Sequence, residues 1–151
     1  MKYSLVALFS MLLLSCSLED PKVPDYRTKN DQAINTYLEA NDLTAVKSSS
    51  GLYYIIDEPG TGDQPTYTSN VTVAYKGYFL NGTVFDESEA EGVSFNLQQV
   101  ILGWTEGITY FKEGGSGILL VPAHLGYGSY KYNGIPGGSV LVFEIKLISV
   151  N

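Results

Sequence analysis

The 151-residue chain holds one cysteine, Cys16, one histidine, His124, and nine lysines and arginines against sixteen aspartates and glutamates. Each scarcity removes a class of function. One histidine cannot build a metal site alone, so His124 is expected as a loop residue facing water. The acidic balance repels phosphate backbones and argues against a nucleic-acid partner. No paired carboxylates stand out on one face, and no nucleophile has an evident base beside it. The sixteen glycines form neither a dinucleotide fingerprint nor a phosphate loop and are read as turns. No internal repeat is present. Cofactor, metal and covalent chemistry therefore find no support in the residues.

What is there begins at the amino terminus. Lys2, an apolar run from Leu5 to Leu14 and then Ser15 have the order of a secretory signal, which at this length is too short to span a bilayer. Leu13-Leu14-Ser15 directly before Cys16 resembles a bacterial lipobox, in which the thiol takes a lipid and becomes the new terminus. Residues 1–15 are thus expected to be a lipoprotein signal peptide, and Cys16 the lipidation site, placing an exported protein on a bacterial membrane. The outer membrane is favoured, and its periplasmic and surface faces stay open. With Cys16 lipidated, the remaining body has no free thiol. Cleavage leaves about 136 residues, eight basic and sixteen acidic side chains, and a net charge of −8, which fits one domain and a tether.

Residues 16–29 are polar, contain Pro21 and Pro24, and read as a flexible tether. Their Ser17-Leu18-Glu19-Asp20 stretch is similar to acidic export tags and fits a merely solvated linker equally well. Residues 30–50 form an N-terminal helical segment: Asn30 or Asp31 can cap a helix to about Ala40, with Ile34, Tyr37 and Leu38 on one face as a buttress. Residues 51–151 form the main domain. Gly51 opens a strand over 52–56, and Val71, Val73 and Tyr75 alternate with Thr72, Ala74 and Lys76 in a half-buried strand. Asn81-Gly82 predicts a type I′ hairpin turn into Thr83-Val84-Phe85-Asp86. A short strand near 93–97, one amphipathic helix near 101–112, a strand over 116–121, a long loop over 122–138 and a last strand over 139–150 follow. In the last strand Leu141, Phe143, Ile145 and Leu147 face the core. Strands outnumber helices and the hairpin is antiparallel, so the fold is α+β.

Aromatic and branched side chains spread over every element: Tyr75, Phe85, Val100, Ile101, Trp104, Tyr127, Ile135 and Phe143. Any one alone reads as ordinary core. Their settings matter more. Val73-Ala74-Tyr75-Lys76-Gly77, Gly82-Thr83-Val84-Phe85-Asp86, Val100 to Gly107, Leu125-Gly126-Tyr127-Gly128, Ile135-Pro136 and Leu141-Val142-Phe143-Glu144 stand in an order and spacing that resembles the FKBP-type peptidyl-prolyl isomerases, over about Ser69 to Val150.

The resemblance implies an antiparallel β-sheet curled around one short α-helix, here with a short N-terminal helix added. It implies that Trp104 floors a pocket walled by Tyr75, Phe85, Val100, Ile101 and Phe143. It further implies that Tyr127 offers a hydroxyl to ligand, that Ile135 crosses the rim, and that Tyr75 hydrogen-bonds Asp86, the pocket acid. Strict alternation puts Phe85 and Asp86 on opposite faces, so a bulge or strand end must re-aim one. The sequence departs from the family pattern around the pocket: the acidic loop after Phe85 is short, Val93 or a displaced Phe95 fills the aromatic place, Tyr130 and Tyr132 occupy a variable loop, and Pro136-Gly137-Gly138 stands where Pro-Pro is common. The implied function is prolyl cis/trans isomerisation of Xaa-Pro segments in exported or unfolded polypeptides, without cofactor or metal. The rival is a non-catalytic chaperone or peptide-binding module of the same fold.

Overall fold

The computed structural model describes residues 22–151. The expected signal peptide, Cys16 and the start of the tether lie outside the described residues. Helix α1 (Arg27–Ala40) comes first, followed by strands β1 (Val46–Lys47), β2 (Tyr53–Glu58), β3 (Asn70–Phe79), β4 (Val84–Glu87) and β5 (Val93–Asn96). Helix α2 (Leu102–Gly107) runs into a 3-10 turn over Ile108–Tyr110, and β6 (Ser116–Val121), a second 3-10 turn (Ala123–Leu125) and β7 (Leu141–Val150) complete the chain. The strands form one sheet in the order β1-β2-β6-β7-β3-β4, with β5 also paired to β3. Every pairing is antiparallel. The fold is the α+β curled sheet that the pattern implies.

Period-two alternation gives the sheet two apolar faces. Val71, Val73, Leu119, Val121, Leu141, Phe143, Ile145 and Leu147 point to the concave side, where they bury Trp104 and Ile108 of the central helical segment. On the opposite side Leu120, Val140 and Val142 pack with Ile34 and Leu38 of α1. Helix α1 is thus a second layer over part of the convex face. Two glycines let α2 lie close to the sheet: a Cβ on Gly103 would stand 2.5 Å from Val121, and one on Gly107 2.6 Å from Leu119. Both were expected as turns, but the requirement they meet is close approach.

Three local expectations change. Helix α1 starts three residues before Asn30, so the tether ends by Tyr26; neither Asn30 nor Asp31 caps it, and Asp25 instead accepts the Arg27 N–H at 3.0 Å. Asp31 is engaged sideways by Lys47 and by the Tyr53 hydroxyl, which docks the helix on the sheet. The hairpin turn is also of another type. Gly82 has φ +85°, whereas Asn81 is not among the residues with positive φ. Gly82 N–H bonds Phe79 O and Phe79 N–H bonds Thr83 O, so the loop is three residues long, a type I turn followed by a left-handed glycine. Finally, His124 does not face water: its Nε2 lies 2.8 Å from Ser50 O and its ring packs on Gly51.

Candidate active site

The cleft on the concave face is built by four strands, the approach to α2 and one loop, which converge on Trp104. Tyr75 comes from β3, Phe85 and Asp86 from β4, Phe95 from β5, and Phe143 from β7; Gln99, Val100 and Ile101 lead into α2, and Tyr127, Tyr132 and Asn133 come from the loop between β6 and β7. Together they enclose about 490 Å³, enough for a small apolar side chain and its flanking amides.

Trp104 is 4% exposed. The rings of Tyr75, Phe95 and Phe143 stand nearly perpendicular to its own at 5.0, 5.2 and 5.3 Å. Such edge-to-face pairs contribute about 0.5–1.5 kcal/mol each beyond area burial, so the indole is held rigidly as a floor. Its Nε1 finds no acceptor among the described residues. Helix α2, which carries Trp104, is pinned from outside by Glu106, whose carboxylate accepts the Ser50 hydroxyl at 2.6 Å and the Tyr110 hydroxyl at 2.8 Å. Burial alone would raise the Glu106 carboxyl, but the hydrogen bonds from Ser50, Ser48 and Tyr110 outweigh it and hold the group below its ordinary value.

Phe85 and Asp86 both line the cleft because β4 bulges. Gly77 pairs with Asp86 and Tyr78 with Val84, which leaves Phe85 as the extra residue. The bulge turns the Phe85 ring onto Phe143 at 5.6 Å while Asp86 Oδ2 accepts the Tyr75 hydroxyl at 2.7 Å. Gly77 makes room for this contact, since a Cβ there would lie 2.7 Å from Phe85 and 2.9 Å from Phe143. Burial, then donation to Asp86, pushes the Tyr75 hydroxyl well above its usual value. Burial raises Tyr127 as well, assisted by the charge of Asp86. Both hydroxyls therefore remain protonated donors at neutral pH.

Ile101 is the N-cap of α2, with extended backbone, and its amide has no acceptor among the described residues. Tyr127 is 38% exposed and stacks on Tyr132 with centroids 5.3 Å apart. Ile135 is buried beneath an adjoining groove that Phe85, Asp86, Tyr127 and Tyr132 share. Of the two candidates for the aromatic place on the rim, Phe95 lines the cleft; Val93, two residues earlier, is 43% exposed and outside it. Gln99 and Asn133 also line the cleft, outside any motif. Nothing in their types marks them, because they reach the cleft through loop geometry.

The site is apolar, aromatic and edged by a few hydrogen-bond donors and one carboxylate. Such a site can hold a proline ring, desolvate an amide and bond its carbonyl. Comparison with known proteins agrees. A family profile described as FKBP-type peptidyl-prolyl cis-trans isomerase matches residues 62–148. The chain is 48% identical over 107 residues to an FKBP-type peptidyl-prolyl cis-trans isomerase FkpA of Buchnera aphidicola subsp. Schizaphis graminum, covering 69% of this chain and 42% of that protein. It is 44% identical over 105 residues to FkpA of Escherichia coli K12, covering 68% and 39%. The chain thus spans less than half the length of these curated relatives. Among solved structures, Escherichia coli FkpA superimposes with a TM-score of 0.74 at 36% identity, over 83% of this chain and 61% of that one. A peptidyl-prolyl cis-trans isomerase of Pseudomonas syringae pv. tomato superimposes with a TM-score of 0.71 at 28% identity, over 87% and 99%.

Proposed function

The chain belongs to the FKBP-type peptidyl-prolyl cis-trans isomerase family, and from that premise we propose that it catalyses rotation about Xaa-Pro bonds of exported or unfolded polypeptides. The observation that carries the proposal is the aromatic cleft floored by Trp104, with two donors at its edge, the Ile101 amide and the Tyr127 hydroxyl, that have no acceptor among the described residues. The barrier to rotation is ~18–20 kcal/mol and arises from amide resonance. No bond breaks, so no acid, base or electron carrier is required. The planar amide is more polar than the twisted one, and an apolar cleft therefore withdraws more solvation from the ground state than from the transition state. Four decades of rate correspond to only about 5.4 kcal/mol. Desolvation, fit to a twisted prolyl bond and one or two hydrogen bonds are of that size together.

A second reading, a holding module without turnover, has one observation in its favour: Tyr132, which lines the cleft, and Tyr130 on the same loop are both exposed and offer apolar surface to any unfolded segment. Refolding of a protein limited by non-native prolyl isomers separates the two. The isomerase should shorten the slow phase, which lasts ~10–100 s unaided, at protein concentrations well below the client's. A holding module would act only near equimolar amounts and would slow or halt recovery.

The proposal places this activity at a bacterial membrane, the outer membrane in preference, through lipid on Cys16. The signal-like segment before that residue and the absence of any other cysteine support it. Cys16→Ser should move the protein from the membrane fraction to the soluble one; equal membrane retention of both forms would remove the lipid-anchor assignment.

A further inference from the structure

Asn30 is the one buried polar or charged residue among the described residues, 3% exposed, and it lies on α1, which is outside the segment that matches the family profile. Its amide is fully used. Oδ1 accepts the Ala123 N–H at 2.8 Å and Nδ2 donates to Gly138 O at 2.9 Å. Those two partners are the opposite ends of the loop over residues 122–138, which carries Tyr127 and Tyr132 to the cleft and Ile135 to the groove beside it. Gly128, the residue after Tyr127, completes a closed ring. Its N–H bonds Ala123 O at 2.8 Å, and its carbonyl accepts the Gly138 N–H at 2.9 Å. Asn30, Ala123, Gly128 and Gly138 are therefore linked in one cycle of four hydrogen bonds.

The surroundings close over this cycle. The Tyr26 ring lies where a Cβ on Gly138 would be, 2.3 Å from it, and the Ser129 hydroxyl donates to Pro24 O at 2.6 Å. The chemistry admits few substitutes. The position needs an acceptor and a donor on one short planar group, since it meets the buried Ala123 N–H and the part-buried Gly138 carbonyl at once. An apolar residue leaves both unsatisfied, and an aspartate sets a carboxylate oxygen against the Gly138 carbonyl.

We infer that Asn30 is a positioning residue for the prolyl cleft: it clasps the base of the Tyr127 loop, so that α1 belongs to the catalytic unit. The inference rests on the proposed isomerase activity. It touches no substrate and acts through Gly128 on Tyr127. The floor at Trp104 and Tyr75 is independent of it, so loosening the clasp weakens capture of peptide more than rotation of bound peptide.

The test compares full-length wild type with Asn30→Ala, Asn30→Asp and Leu38→Ala, the last removing α1 packing without touching the clasp. For Asn30→Ala, KM for an Xaa-Pro tetrapeptide should rise about tenfold with kcat within about twofold, the size expected for one to two net hydrogen bonds. Amide hydrogen exchange should quicken at Gly128 and Gly138 and stay unchanged at Leu147 in β7. Asn30→Asp, which keeps the Ala123 bond but opposes a carboxylate oxygen to the Gly138 carbonyl, should also raise KM and quicken exchange, most at Gly138, and it reports on the clasp should the alanine variant fail to fold. Leu38→Ala should lower thermal stability without either change. Unchanged KM and exchange in both Asn30 variants, or the same KM rise in Leu38→Ala, would overturn the inference. If wild type itself binds peptide without turnover, the isomerase reading fails; the clasp is then judged on peptide affinity and exchange at the same two glycines.

Discussion

Trp104 shows how little chemistry the site needs and how much packing. Its perpendicular neighbours Tyr75, Phe95 and Phe143 leave a rigid floor, and the tyrosine hydroxyls at the edge stay protonated. Tyr75 and Tyr127 are both raised above their ordinary value of 10, first by burial and then by Asp86. Between about pH 6 and 9 neither hydroxyl changes state, so kcat/KM for a neutral peptide should be level across that range. A bell or a step within it would show that a titrating group takes part. The site's residues were legible to the degree that their neighbours in sequence carried a pattern. Tyr75, Phe85, Asp86, Ile101 and Trp104 sit inside motifs, and the structure brings them to one cleft. Phe95 and Val93 could not be separated from sequence, since two residues apart on one strand they differ only in local register. Asn30 was legible only as a cap, because its partners are 93 and 108 residues away.

At the scale of elements, the bulge in β4 was foreseeable from the conflict between Phe85 and Asp86, because alternation alone cannot send both to one cleft. The hairpin turn was misjudged for an equally physical reason. Asn-Gly suits a type I′ turn, but Leu80 joins it here in a three-residue loop, and only Gly82 needs positive φ. Glycine was under-read in α2 as well. Gly103→Ala would drive a methyl to 2.5 Å from Val121, a β-branched side chain with little rotamer freedom. Overpacking costs about 1–3 kcal/mol, of which better helix propensity returns at most ~1 kcal/mol. The variant should therefore melt below wild type in calorimetry. It should also lose activity through displacement of the adjacent Trp104; a higher melting temperature would show that α2 does not depend on this close approach.

The whole molecule is a sheet used on both faces. Its concave side buries α2 and shapes the cleft; part of its convex side is covered by α1, which reaches over the edge to the Tyr127 loop through Asn30. The alternation of β3, β6 and β7 made the concave core readable, but Val140 and Val142 appear in sequence as mere continuity of the last strand, and only their partners Ile34 and Leu38 reveal a second core. The central claim is that this cleft speeds prolyl rotation. Two-dimensional exchange NMR of an Xaa-Pro tetrapeptide with a few per cent of the protein measures it without protease or coupled enzyme. Wild type should show cis/trans exchange far above the buffer rate, and a folded Trp104→Phe about tenfold less or lower. Exchange at the buffer rate while the peptide quenches or shifts Trp104 fluorescence would contradict the claim, as would full activity in Trp104→Phe.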